Sequence, residues 1–299
     1  MPCMISVHMA RLRELRRRER GGYNHPMKIA QKLANWLVPI AALILLITWL
    51  QIAPPGILGK ADALGYAVCH RLDERSFHLD DGTQSPLCAR CSGMYLGAVL
   101  GIVFQLVSAK RLAGMPRWTI ILPLGLIAAA FAVDGVNSYL YLMKTINPER
   151  LTWIPNLYIP NNTLRLWTGT GVGLAMAVAV FPAFNQTFWR NWDNRPALTW
   201  RTFPILLALA VGLVLLVLTE WDWVLYPAYL LSAAGVLLLL TMVYAMVWAM
   251  LMRIENTFDS WREIGVPLLA GLTIALIQIT LIDLFRLWLT GTWGGFPLG

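Results

Sequence analysis

A succession of long apolar runs constrains this chain more than any other feature. They lie at about 34–53, 87–109, 118–141, 164–184, 202–219, 225–250 and 264–288. A helix of about 20 apolar residues crosses a hydrocarbon core of ~30 Å. In lipid, the backbone groups must be satisfied within the segment itself or within a closed barrel. The runs therefore predict an all-α, polytopic transmembrane helical bundle of about seven spans, with the lipid bilayer as its solvent. Composition agrees: 13% of the residues are charged and 58% hydrophobic, against roughly 25% charged in soluble domains. The net charge of +8 is not read as a sign of a nucleic-acid partner, because basic residues in a membrane protein report orientation.

Those basic residues are unevenly placed. Residues 1–32 hold a run of arginines from Arg11 to Arg20, with Lys28 and Lys32, and read as a disordered cytoplasmic tail. The short loops at 110–117, 185–201 and 251–263 carry Lys110, Arg111, Arg190, Arg195, Arg253 and Arg262 among others. With seven spans these regions fall on one side, which the positive-inside rule makes cytoplasmic. The N-terminus is then cytoplasmic and the C-terminus outside, with the long connections 55–87 and 142–163 also outside. Trp49, Trp153, Trp167, Trp221 and Trp223 fit an aromatic belt at that outer boundary. The chain divides into the tail, a core at 33–185 with spans 1 to 4, and additional spans 5 to 7 at 186–299.

Three cysteines and a histidine are the strongest chemical signal: Cys69, His70, Cys88 and Cys91. A Cys-x-x-Cys pair at a helix start either shares a metal or forms a redox disulfide. The helix N-terminus favours the thiolate in both cases. Cys69 and His70 would complete a tetrahedral Cys₃His set for zinc or another transition metal. Two adjacent residues reach one ion only from a turn, and His78 is an alternative nitrogen ligand.

Charges crowd the same region. Asp134 lies inside span 3, Arg90 stands between the two cysteines, and Arg165 opens span 4. A carboxylate within a span is costly unless paired, and Arg90 or Arg165 is the natural partner of Asp134. The arrangement reads either as a structural ion pair or as a polar pocket whose arginines grip an anionic or lipid-like small molecule. In the second reading Asp134, Arg90 and Arg165 serve catalysis, while Arg75, Ser76 and Asn162 bind substrate. Glycines at 93, 97 and 101, and at 169, 171 and 173, predict close packing of spans 2 and 4. Asp283 and Arg286 read as a pair within span 7.

Four blocks of residues, "CHRLDERSF", "PLCARCSGMYLG", Asp134-Gly135 and "NNTLRLWTG", together resemble the DUF2085 family of predicted prokaryotic membrane proteins. The resemblance covers about residues 66–180 and implies residence in a prokaryotic plasma membrane. It brings no activity with it. The chain departs from the commoner pattern at Leu72-Asp73, where a proline is usual. Two functions from different classes compete: a metal-dependent membrane enzyme, and a thiol–disulfide oxidoreductase using Cys88 and Cys91. A non-catalytic scaffold with a structural site is the third reading.

Overall fold

The computed structural model describes residues 29–147, 149 and 153–294. Among them the chain forms eight α-helices: α1 (Ile29–Ile52), α2 (Gly56–Val68), α3 (Ala89–Ser108), α4 (Trp118–Ile146), α5 (Asn162–Phe188), α6 (Phe203–Val217), α7 (Asp222–Leu251) and α8 (Gly265–Thr290). The expected helical bundle is what folds. Apart from residues 29–32, the basic tail lies outside the described residues.

Six helices are long and apolar enough to cross a membrane. The fifth expected span is the exception. It is α6, with 15 residues, or about 22 Å at 1.5 Å per residue. It nonetheless joins the same two ends of the bundle as its long neighbours. A further helix, α2, occupies the connection at 55–87 that reads as polar loop. It is short and alanine-rich, with Ala61, Ala63 and Leu64 buried beside Ala233 of α7 and Leu276 of α8. Such a segment has no membrane-length run to announce it.

Helices α3 and α5 form the axis of the bundle, and glycine is the reason. A Cβ at Gly93 would fall 2.5 Å from the Leu166 carbonyl oxygen, and one at Gly97 2.3 Å from that of Thr170. From the other side, a Cβ at Gly169 would meet the Arg90 carbonyl oxygen at 2.2 Å, and one at Gly173 that of Met94 at 2.0 Å. The backbones thus touch over about two turns of each helix. This is how helices associate where lipid removes any hydrophobic drive between them. α7 closes on the same axis through Gly235, whose Cβ would sit 2.9 Å from the Tyr95 carbonyl oxygen.

The loops sort into two ends. At the basic end, strands β1 (Leu112–Gly114) and β2 (Asp193–Pro196) pair in parallel, and Trp189 bridges to Phe258. At the other end, which holds Cys69, Cys88 and Cys91, the Asp80 amide donates to Asp222 (3.0 Å) and the Tyr66 hydroxyl to the Thr292 carbonyl (2.8 Å). Two expectations fail here. Trp49 is 5% exposed and packs with α2 and α8 instead of facing lipid, whereas Trp153, Trp221 and Trp223 are exposed as a belt requires. Arg286 does not close on Asp283. It donates to the backbone carbonyls of Tyr66 and, at 2.7 Å, Cys69.

Candidate metal centre and its cationic cavity

The connection between α2 and α3 folds back on itself to bring Cys69 beside Cys88. After Cys69 the chain turns sharply, with Arg71 in the left-handed region at φ 52°, a conformation that costs a non-glycine residue roughly 1 kcal/mol or more. A single 3₁₀ turn (Asp73–Arg75) follows, then a reversal at Gly82, whose φ of 83° suits glycine. The return arm is fixed by the Ser85 amide on the Phe77 carbonyl (2.9 Å) and by Gln84, whose amide donates to the Arg71 carbonyl (2.9 Å). Phe77 and Leu79 anchor this loop among Leu166, Val214 and Leu225. Pro86 rests on Gly65 of α2, where a Cβ would fall 1.8 Å from its carbonyl oxygen.

Cys88 is thereby the N-cap residue of α3, and Cys91 lies in its first turn. The sulfurs of Cys69, Cys88 and Cys91 all lie within 4.8 Å of one another, and all three are free thiols. The Cys69 sulfur accepts the amide N–H of Cys88 (3.3 Å) and of Arg71 (3.5 Å). Backbone donors aimed at a sulfur stabilise its anionic form. The thiols also share their protons. Hydrogen bonds from Cys69, then Cys91, hold Cys88 well below the usual thiol range. Cys69 is pushed up to about 11, first by its hydrogen bond with Cys88. Negative charge therefore collects on Cys88, at the positive end of α3.

His70 and His78 do not join this group. His70 is exposed and lines the adjoining cavity. His78 faces outward, its Nε2 2.8 Å from Asp73. Among the described residues the three sulfurs stand together without either imidazole, and the Cys₃His set expected from sequence is not assembled.

Beside the thiols, α4 contributes Asp134, which is 1% exposed. Arg90 donates to its Oδ2 from Nε (3.0 Å) and Nη2, and its Nη2 also reaches Ser138 Oγ (2.9 Å). Tyr158 donates to the other carboxylate oxygen at 2.7 Å. Sequence reasoning missed Tyr158. Its segment is stitched to α4 by Asn137, which donates to the Tyr158 carbonyl (3.0 Å) and accepts the Leu157 amide (2.9 Å). Burial, and then the carboxylate it serves, push the Tyr158 hydroxyl up to about 12, so it remains a donor.

Arg165 sits one turn before Gly169, and the close approach there brings it against the first turn of α3. It is 6% exposed, and its Nη1 donates to Asn162 (2.8 Å). Asn162 in turn donates to the Glu74 and Ser76 carbonyls, 3.3 and 3.4 Å away. Ser76 is buried, with its hydroxyl on the Leu72 carbonyl (2.9 Å). Ser76 and Asn162 brace the loop and do not line the cavity. Arg75 reaches across to the Ser138 carbonyl (3.1 Å), and burial, then the charge of Arg90, lower its affinity for its proton.

These groups surround a cavity of about 430 Å³. Its lining includes Cys69, Cys88 and Cys91 together with Arg71, Arg75, Arg90 and Arg165. Arg71 is answered by Asp62 at 2.8 Å and Arg90 by Asp134. Among the described residues, Arg75 and Arg165 form no ion pair. The site is therefore a cluster of three thiols opening onto an electropositive chamber.

Most of the chain that builds this site matches a known family. Residues 69–179 match the family described as "Predicted membrane protein (DUF2085)". An uncharacterized protein of Methanothermobacter thermautotrophicus is 31% identical over 37% of this chain and 82% of its own length. An uncharacterized protein of Methanocaldococcus jannaschii is 25% identical over 42% of this chain and 69% of its own. No solved structure matches. The matched segment runs from Cys69 to residue 179, within α5, and so contains the thiol cluster and its arginines; this chain belongs to the DUF2085 family of membrane proteins.

Proposed function

We propose that this protein holds a transition-metal ion on Cys69, Cys88 and Cys91 at the outer face of a prokaryotic plasma membrane, as the centre of a metal-dependent enzyme for an anionic or lipid-like substrate. The observation that carries this reading is the convergence of three sulfurs within 4.8 Å. In a tetrahedral zinc site the metal–sulfur distance of ~2.3 Å sets the sulfurs roughly 3.8 Å apart. Closing to that spacing asks little of the backbone. Three protein ligands leave one coordination position for water or substrate, the arrangement of catalytic rather than structural zinc. The same three cysteines line the cavity. A divalent ion on three thiolates carries a net negative charge, and the surrounding arginines offset it.

The outer placement rests on the positive-inside rule, applied to the short loops at 110–117, 185–201 and 251–263, whose lysine and arginines lie at the opposite end of the bundle. Arg165 and Arg75 take the role of anion binders. Both oxygens of Asp134 are engaged by Arg90 and Tyr158, which favours its acting as a positioning residue for Arg90 over its moving a proton.

Elemental analysis of purified protein tests the proposal. Wild type should carry roughly one ion per chain, as a three-thiolate site requires, and Cys88→Ser should carry almost none. A metal-free wild type, or undiminished metal in Cys88→Ser, would sink it. Alkylation followed by mass spectrometry separates the oxidoreductase reading: a Cys88–Cys91 disulfide that opens with reductant would favour thiol–disulfide exchange instead.

A further inference from the structure

We propose that the cavity seats a phosphate-bearing lipid, its phosphate gripped by Arg75 and Arg165 and its chain lying along α4. This rests on the reading of the cavity as an anion site, and not on the metal.

Charge balance is the first argument. Of the four arginines lining the cavity, Arg71 and Arg90 have carboxylate partners. Arg75 and Arg165 have none among the described residues. A buried cation without a counter-ion is destabilising, and Arg165 is only 6% exposed. Its Nε is buried with no hydrogen-bond partner. Arg165 is thus an oriented donor fork with an unused N–H at a 430 Å³ chamber. Two such forks match the several oxygens of a phosphate better than a single carboxylate.

The opposite wall decides between a free ion and a headgroup. Its apolar residues are Val68, Leu72, Leu142 and Met143, which offer nothing to a free anion, and Tyr139 adds a ring with one hydroxyl. On α4, Val136 is 62% and Tyr139 58% exposed, so this helix presents its flank to lipid. Tyr139 lies about 32 Å along the helix from Trp118 at 1.5 Å per residue, close to where a hydrocarbon core of ~30 Å ends. A cationic floor, an apolar wall and a position at the interface together describe a site for an amphiphile.

Calorimetry on the purified full-length protein in neutral detergent tests this with three probes: dihexanoyl phosphatidic acid, inorganic phosphate and dihexanoylglycerol. Phosphatidic acid should bind at least ~10-fold more tightly than inorganic phosphate, about 1.4 kcal/mol. Inorganic phosphate should compete with it, and dihexanoylglycerol should not. Arg75→Gln and Arg165→Gln should each weaken phosphatidic acid by ~10-fold or more, as expected for lost charged hydrogen bonds, while Arg165→Lys keeps part of the affinity. If Arg165→Gln does not melt cooperatively, the lysine variant and the wild-type competition decide. Equal binding of phosphate and phosphatidic acid would overturn the lipid inference and leave the anion reading standing. No binding of either would overturn both. Binding unchanged by the arginine substitutions, or matched by dihexanoylglycerol, would overturn the inference as well.

Discussion

The two ends of this bundle use the same residue type for opposite purposes. At the basic end, Arg190 and Arg195 have side chains 58% and 76% exposed, paired with Asp259 and Asp193 on the surface. At the thiol end, Arg165 is 6% exposed, and Arg90, at 17%, is locked to an Asp134 side chain that is 1% exposed. Exposed arginines set orientation through the membrane field and are individually replaceable. Buried arginines are costly, and they persist where other groups are built around them. The same guanidinium is thus a label at one end and a part at the other. Among the described residues, three thiols lie beside the second set and none beside the first.

The sharpest way to break that contrast is to remove a ligand. Cys88→Ser should abolish metal binding, a larger loss than the 10–100-fold typical of outer-shell changes, as read by metal content and zinc competition. Next in size is Asp134→Ala. It strands Arg90 in a buried site and deprives Tyr158 of its acceptor. Breaking a buried pair costs about 3–5 kcal/mol, so the melting temperature in detergent should fall by many degrees. A drop of only a degree or two would mean that the thiol end is no more integrated than the basic end.

Much of this was legible in the sequence, and what was missed had physical reasons. Apolar run length alone located six membrane-length helices and the shorter α6, because a bilayer imposes that length on any helix that spans it. The glycines of α3 and α5 announced their contact, since small residues spaced one turn apart let two backbones meet. Cys88 and Cys91 marked the site by their spacing. The fourth ligand did not follow, because the chain turns at Arg71 so that Cys69 enters the cluster while His70 stays exposed on the cavity wall. Tyr158 was illegible for a different reason. Its place depends on Asn137 of α4, and no local pattern encodes such a tertiary contact. The pairing of Asp283 with Arg286 failed because the carbonyls of Tyr66 and Cys69 compete for the guanidinium.

That competition carries the next prediction. Arg286 lies in α8, beyond the residues 69–179 that match the family, yet it donates to the Cys69 carbonyl at 2.7 Å. Arg286→Met should weaken metal binding by ~10-fold, the lower range of outer-shell effects, with Cys88 and Cys91 untouched. Unaltered affinity would make α8 a bystander to the site. A smaller effect is expected of Tyr158→Phe, which removes one hydrogen bond to a carboxylate and should cost about 1–2 kcal/mol. The same bond gives a pH dependence. The hydroxyl is raised from 10.0 to about 12 in the fold, so its contribution is complete below pH 10 and lost as the pH climbs through 12. Thermal melts of wild type should lose stability across that alkaline window more than those of Tyr158→Phe.

The smallest effect belongs to the basic end, and it is the control that gives the others meaning. Asp259 pairs with Arg190 at 2.8 Å, but the two side chains are 45% and 58% exposed. An ion pair in that setting is worth about 0–1 kcal/mol, because water screens the attraction and both side chains lose freedom in making it. Asp259→Asn keeps the shape and removes the charge, so stability should change by no more than ~0.5 kcal/mol, and metal content should not change at all. Arg190 would still donate to the Thr257 carbonyl at 2.7 Å, which retains the loop contact without the charge. If Asp259→Asn instead destabilised the protein as strongly as Asp134→Ala, the distinction between arginines that label an end and arginines that build a site would collapse. Burial would then no longer be the property that separates the two ends.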